Sequence, residues 1–137
     1  MNDIEENLKL VLDFDKLKKA VGKYENIIPV IVQQADTLQV LLLAYVNETA
    51  LEQSIRTGIA TFWSTSRNEL WVKGSTSGQY LDIVDILVNC EQNSLLFQVR
   101  LRNEGACHTK NKKGKHRLSC YYRKIIKDQL EFINDME

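Results

Sequence analysis

A chain of 137 residues has the length of one domain built on one core. Its 44% apolar and 26% charged fractions are those of a soluble globular protein and exclude the disordered and fibrous classes. Eighteen basic residues balance eighteen acidic ones, so no whole-molecule field favours nucleic acid or an anionic membrane, and any anion site must be local.

The opening MNDIEENLKL is acidic where a secretory signal would be basic and then apolar, which points to a cytoplasmic protein. Val11 to Val21 sets Leu12, Leu17 and Val21 among charged residues at roughly helical spacing, predicting an amphipathic first helix packed on a sheet. IIPVIV at 27–32 and LQVLLLAYV at 38–46 predict two strands joined by the polar QQADT. The apolar run at 40–46 is far short of the roughly 18–20 residues of a membrane span. Pro29 cannot donate to a ladder and places the first strand near an edge. Asn47 then stands as an N-cap before ETALEQSIRTG, with Glu48 at the dipole-favoured start and Gly58 as terminator, predicting a helix.

ATFWST, ELWV, YLDIVDILVNC and SLLFQVRL follow as strand-like segments separated by Ser, Asn and Gly. The basic KNKKGKHR at 110–117 reads as a loop, either a solvated surface or a phosphate-binding flap, with His116 solvated inside it. From Arg123 to Met136, Ile126, Leu130 and Ile133 fall at spacings of four and three, predicting a terminal helix. The fold class expected is α+β, a mostly antiparallel sheet or partial barrel with a few helices, in a single domain over 1–137.

Three cysteines cannot all pair within one chain, and a reducing compartment favours metal or catalytic use over disulfides. The alternative is three buried apolar cysteines. Cys90, Cys107 and Cys120 lack the paired spacing of a structural zinc knuckle, but three thiolates would leave a tetrahedral zinc one open position for water. His108 follows Cys107 directly and suits a general base or acid, with a fourth metal ligand or a plain solvent-facing histidine as the other readings. FWSTSRNELWVKGSTSG, from Phe62 to Gly78, can grip phosphate. Arg67 offers a bidentate fork, Lys73 a point charge, and the turn around Gly74 and Gly78 backbone N–H groups and hydroxyls. The competing reading is a hairpin with Trp63 and Trp71 in the core. No P-loop or dinucleotide fingerprint is present.

Taken in chain order, LLLAYVNETAL, FWSTSRNELWVKGSTSG, the cysteine of VNCEQNSLL, GACHT and SCYYR resemble the motifs of the phosphoribosyl-AMP cyclohydrolase family, over roughly Ile28 to Arg123. The resemblance implies a cytoplasmic, metal-dependent enzyme of histidine biosynthesis, an intertwined homodimer that hydrolyses the N1–C6 bond of the adenine ring. It implies a zinc held by Cys90 of one subunit with Cys107 and Cys120 of the other, and His108 assisting the zinc-bound water. It also implies that Ser64, Ser66, Arg67, Trp71, Lys73, Thr76 and Ser77 contribute to a pocket for a small purine nucleotide.

The chain departs from the family's pattern twice. Where the family has DCDxD with three aspartates for magnesium, this chain has Asn89, Cys90, Glu91, Gln92 and Asn93. Asn89, Glu91 and Asn93 are thus the candidate magnesium ligands, with a single carboxylate among them. The basic KNKKGKHR also lengthens the Cys107 to Cys120 loop, at a closure cost that grows only slowly with length, and its charge can reach a substrate phosphate. The alternative functions are a zinc-dependent hydrolase or deaminase of another purine nucleotide, and a non-catalytic zinc-stabilised dimer that binds nucleotide.

Overall fold

In a computed structural model of the protein, which describes residues 3–12, 26–134 and 136–137, the apolar runs become strands and the capped segment a helix. The elements in chain order are α1 (Asp3–Glu6), β1 (Ile28–Gln34), β2 (Val40–Val46), α2 (Glu48–Thr57), β3 (Thr61–Ser64), β4 (Glu69–Val72), β5 (Leu81–Val88), β6 (Leu95–Leu101), β7 (Arg123–Ile126) and β8 (Gln129–Phe132). The hairpins β1–β2 and β5–β6 are antiparallel, and a parallel pairing of β1 with β6 joins them in a four-stranded sheet of order β2-β1-β6-β5. β3–β4 and β7–β8 are separate two-stranded hairpins.

Strand alternation divides the large sheet into two unlike faces. On one face Val30, Val32, Ala44, Leu95, Phe97 and Val99 are buried. α2 closes that face with Ala50, and β3 with Phe62, whose ring stacks on Phe97 at 5.9 Å and lies 5.8 Å from Trp71. Burying one such side chain contributes about 1.5–3 kcal/mol. On the other face Leu43, Ile31, Leu96 and Leu87 are successive cross-strand partners, and Leu43, Ile31 and Leu87 are exposed. They form an apolar stripe across all four strands.

α2 starts and stops where its caps dictate. Asn47 Oδ1 accepts from the Ala50 N–H at 2.9 Å, and Gly58, at φ 74°, donates its N–H to Ser54 O. The buried Ser54 hydroxyl donates to Thr61 O and accepts from Thr61 N, both at 2.9 Å, which fixes the helix to the start of β3.

The structure corrects several of the expected elements. The segment from Arg123 to Met136 is not a helix but the β7–β8 hairpin, in which Ile125 faces Leu130 and Lys124 faces Glu131. Lys127 takes φ 57° at the turn, which breaks any helical path, and Leu130 N–H bonds Leu8 O so that the N-terminal segment extends the hairpin. Pro29 does not lie on an edge strand, because β1 is interior. Its ladder to β6 begins only at Val30, so the proline, opposite Tyr45 of β2, sits where β6 does not yet pair with the strand. The described strands form an open mixed sheet with hairpins and no closed barrel. Of the helix expected over Val11 to Val21, only Val11 and Leu12 are described, and neither is helical; Leu17 and Val21 lie outside the described residues. Among the described residues no helix is long and apolar enough to cross a membrane.

Candidate functional site

The segment after β6 folds back on itself and brings Cys107 to Cys120. Ala106 N–H donates to Leu118 O, Cys107 N–H to Arg117 O, and Arg117 N–H to Thr109 O. These rungs are closed above by a bridge between Lys110 and His116. The basic insertion is therefore the tip of a small hairpin, in which Asn111 Oδ1 accepts from the N–H groups of Lys113 and Lys115 and Gly114 takes φ 78°. Lys112 is tied to Glu137 by its backbone and by an ion pair at 3.6 Å, while Lys113 and Lys115 are exposed. On the far side the buried Ser119 hydroxyl donates to Val40 O and Leu41 O, and Cys120 N–H donates to Leu41 O. Cys120 is thus pinned to the edge of β2.

Gly105 is required at the base of this hairpin, since a Cβ there would overlap the backbone oxygens of Arg117 and His116. Gly105→Ala is expected to destabilise the protein by about 1–3 kcal/mol and to loosen the Cys107 strand. A thermal unfolding curve identical to that of the parent protein would refute this.

Cys107 is buried, whereas Cys120 and Cys90 present an open side, so the three are not simply core residues. The Cys120 thiol hydrogen-bonds the Cys107 sulfur and holds Cys107 down to about 5. Burial opposes this, while the Thr109 hydroxyl, 2.9 Å from the sulfur, the Thr109 N–H and the charge of His108 assist it. Cys120 moves strongly upward for the same reason, since it keeps the proton beside a thiolate, and the partial desolvation of its sulfur adds to this. Lys73 is also buried here. Burial lowers its ammonium, and the electrostatic influence of the Cys120–Cys107 pair works the other way. Its Nζ lies 5.8 Å from the centre of the Trp71 ring.

A pair of hydrogen-bonded soft sulfurs, one buried and one open to solvent, is a donor set suited to zinc. Among the described residues of one chain no third Cys, His, Asp or Glu joins them in a group able to hold a metal. Cys90 stands apart, in the turn after β5, directly beyond the exposed Leu87 and Val88.

Asn89, Glu91 and Asn93 do come together in that turn, but their oxygens are spent on one another. Asn89 Oδ1 accepts from the N–H groups of Asn93 and Ser94, Asn93 Oδ1 accepts from Asn89 Nδ2 at 2.7 Å, and Glu91 Oε2 accepts from Asn93 Nδ2. With one carboxylate and amide groups that bond each other, this set does not fit magnesium.

The nucleotide-binding candidates fall into separate groups. Ser64, Ser66 and Arg67 gather at the β3–β4 turn, where the Arg67 N–H and Nε donate to Ser64 Oγ and the guanidinium meets Glu69 at 3.5 Å. Lys73 lies near the thiol pair, while Trp71 packs against Phe62. Thr76 and Ser77 occupy the turn closed by Gly78 N–H to Gly74 O, which Gln79 and Asn103 attach to the segment before Cys107.

His108 is largely exposed beside Cys107, and its Nε2 lies 3.0 Å from Glu5 Oε1. Sequence reasoning missed Glu5, and it also missed Thr109, although the hydroxyl next but one to a candidate ligand cysteine was a local signal. It placed His116 in solvent, and it read the run that holds Arg117 as a solvated surface or a phosphate-binding flap; both residues are corrected. His116 is half-buried with Nδ1 2.9 Å from Cys107 O, and Arg117 is buried between Glu6, Tyr122 and Phe132.

A family model described as phosphoribosyl-AMP cyclohydrolase matches residues 42–122. The chain is 46% identical over 107 residues to the phosphoribosyl-AMP cyclohydrolase of Hyphomonas neptunium, covering 78% of this chain and 76% of the relative. It is 42% identical over 106 residues to that of Archaeoglobus fulgidus, covering 77% and 92%. With that of Desulfatibacillum aliphaticivorans it shares 36% identity over 124 residues, covering 90% and 89%.

Proposed function

The chain belongs to the phosphoribosyl-AMP cyclohydrolase family, hydrolases of histidine biosynthesis, and on that premise we propose that it opens the adenine ring of phosphoribosyl-AMP with zinc as its metal. The observation that carries this reading is the Cys107–Cys120 pair, one thiol buried and the other open to solvent, with His108 beside it, inside the matched residues. Cys107 and Cys120 would hold zinc together with Cys90 of a second copy, and the bound metal supplies the Lewis acidity that makes water a nucleophile near neutral pH. His108 takes a proton from the attacking water and returns one to N1 as the C6–N1 bond breaks and the C6–O bond forms. Lys73, buried beside the sulfurs, offsets the negative charge of the thiolates. Ser64, Ser66 and Arg67 provide the donors for the phosphate, and Thr76 and Ser77 extend that polar surface. No step is assigned to magnesium.

The apolar stripe through Leu43, Ile31, Leu96 and Leu87 supports a homodimer, since it leads along β5 to Cys90. A second copy seated there would have Cys90 at the edge of the interface. Ile31→Asp is therefore expected to give a monomer by light scattering and to lose zinc and activity together. A monomeric variant with full activity would overturn the shared site. The protein so described is a cytoplasmic dimer acting on a small purine nucleotide.

The direct test supplies phosphoribosyl-AMP to zinc-loaded protein and follows ring opening by ultraviolet absorbance. A flat trace from intact, metal-loaded dimer would sink the reading.

A further inference from the structure

We propose that Glu5 is the positioning residue for His108, holding the imidazole with its proton on Nε2 so that Nδ1 is the nitrogen free to exchange protons with substrate. This rests on the reading above in which His108 moves the proton. An exposed imidazole samples several rotamers and both neutral tautomers unless something holds it. Here Glu5 Oε1 lies 3.0 Å from His108 Nε2. An ionised carboxylate only accepts, so the hydrogen bond puts the proton on Nε2 and leaves a lone pair on Nδ1.

Glu5 is itself held on several sides. Tyr122 Oη donates to Glu5 O at 2.6 Å, and the next residue, Glu6, receives Arg117 Nη1 at 3.0 Å and Nη2 at 3.3 Å. Arg117 is buried, with its guanidinium 4.2 Å from the Tyr122 ring centre, and its Nε donates to Met136 O at 2.5 Å. Arg123 Nη1 donates to Asn7 O at 2.7 Å, and Leu130 N–H to Leu8 O. Arg117 also accepts the Cys107 N–H through its carbonyl, so the residue that clamps α1 braces the strand bearing His108. Residues 5–9 lie outside the span 42–122 that matches the family.

The chain has two histidines, and the geometry assigns them opposite tautomers. His116 Nδ1 faces the Cys107 carbonyl, which only accepts, so His116 carries its proton on Nδ1. Full-length, zinc-loaded protein with isotope-labelled histidine should show one Nε2–H and one Nδ1–H ring in a two-bond proton–nitrogen spectrum above neutral pH. Glu5→Ala should mix the tautomers of His108 alone and lower kcat by about tenfold or more at unchanged KM. Glu5→Gln, whose carbonyl oxygen still accepts from Nε2, should recover most of that loss. In a His108→Ala background Glu5→Ala should cost nothing further. The proposal is overturned if Glu5→Ala leaves kcat within about twofold of the parent, or if its loss persists undiminished without His108, which would make it an effect on folding. An unchanged kcat in His108→Ala alone would instead overturn the role given to His108, and this inference with it.

Discussion

Cys107→Ala is expected to yield a folded protein with little zinc and no measurable ring opening. The side chain is buried but small, so its loss costs the fold only a minor cavity and the contact with Thr109. The cost to the metal is far larger. Structural zinc binding to four ligands is worth ~10–16 kcal/mol, so one ligand accounts for about 2.5–4 kcal/mol, or roughly 10²–10³-fold in affinity. Its sulfur also has the lowered pKa of the pair, at about 5, and is the donor that needs least cost to deprotonate near neutrality. The sign follows directly. Zinc affinity should fall steeply as acid protonates the Cys107 thiolate and should go on rising with pH above that value, because Cys120 must give up its proton to bind. Elemental analysis of the purified variant and the absorbance assay check the result; full zinc content with retained activity would remove Cys107 from the metal site.

The second large effect is expected from His108→Ala, and it differs in kind. The side chain is 67% exposed, so the variant should keep the parent's stability to within about 0.5 kcal/mol. Zinc should remain, because the thiol pair is untouched. Only proton transfer is lost, which lowers kcat by about 10²–10⁴-fold with KM little changed. A variant that loses zinc together with rate would make His108 a metal ligand, and one that loses neither would make it a bystander.

The parts of the fold legible in the sequence are those decided by neighbours along the chain. Asn47 and Gly58 bracket α2 because capping is a matter of three or four residues. The strands from β1 to β6 announce themselves by β-branched runs and by the polar turns between them. The tail misleads because Ile126, Leu130 and Ile133 satisfy a helical period as well as a hairpin. What settles it is the pairing of Gln129 with Lys9 and of Leu130 with Leu8, supplied by the other end of the chain. Pro29 is a similar case, since its strand is interior only through a parallel partner far along the sequence.

The site divides along the same line. The cysteines and His108 stand in motifs that a family resemblance exposes. Glu5 reaches His108 across 103 positions and Glu6 reaches Arg117 across 111, separations at which no local pattern survives. His116 and Arg117 looked solvated because charge runs generally are, yet one bonds the Cys107 carbonyl and the other fills a buried aromatic slot.

The parallel contact of β1 with β6 has a consequence for biosynthesis. Gln33 and Gln98, which meet across it, are 65 residues apart. At about 5–20 residues per second, β1 emerges from the ribosome roughly 3–13 s before its inner partner does. During that interval the Val30 to Gln34 edge is an apolar strand with unpaired N–H and C=O groups, a template for pairing between nascent chains. Slower loss to aggregates at low temperature and low expression level would be the practical sign of this open edge, and β6 is the strand that ends the exposure.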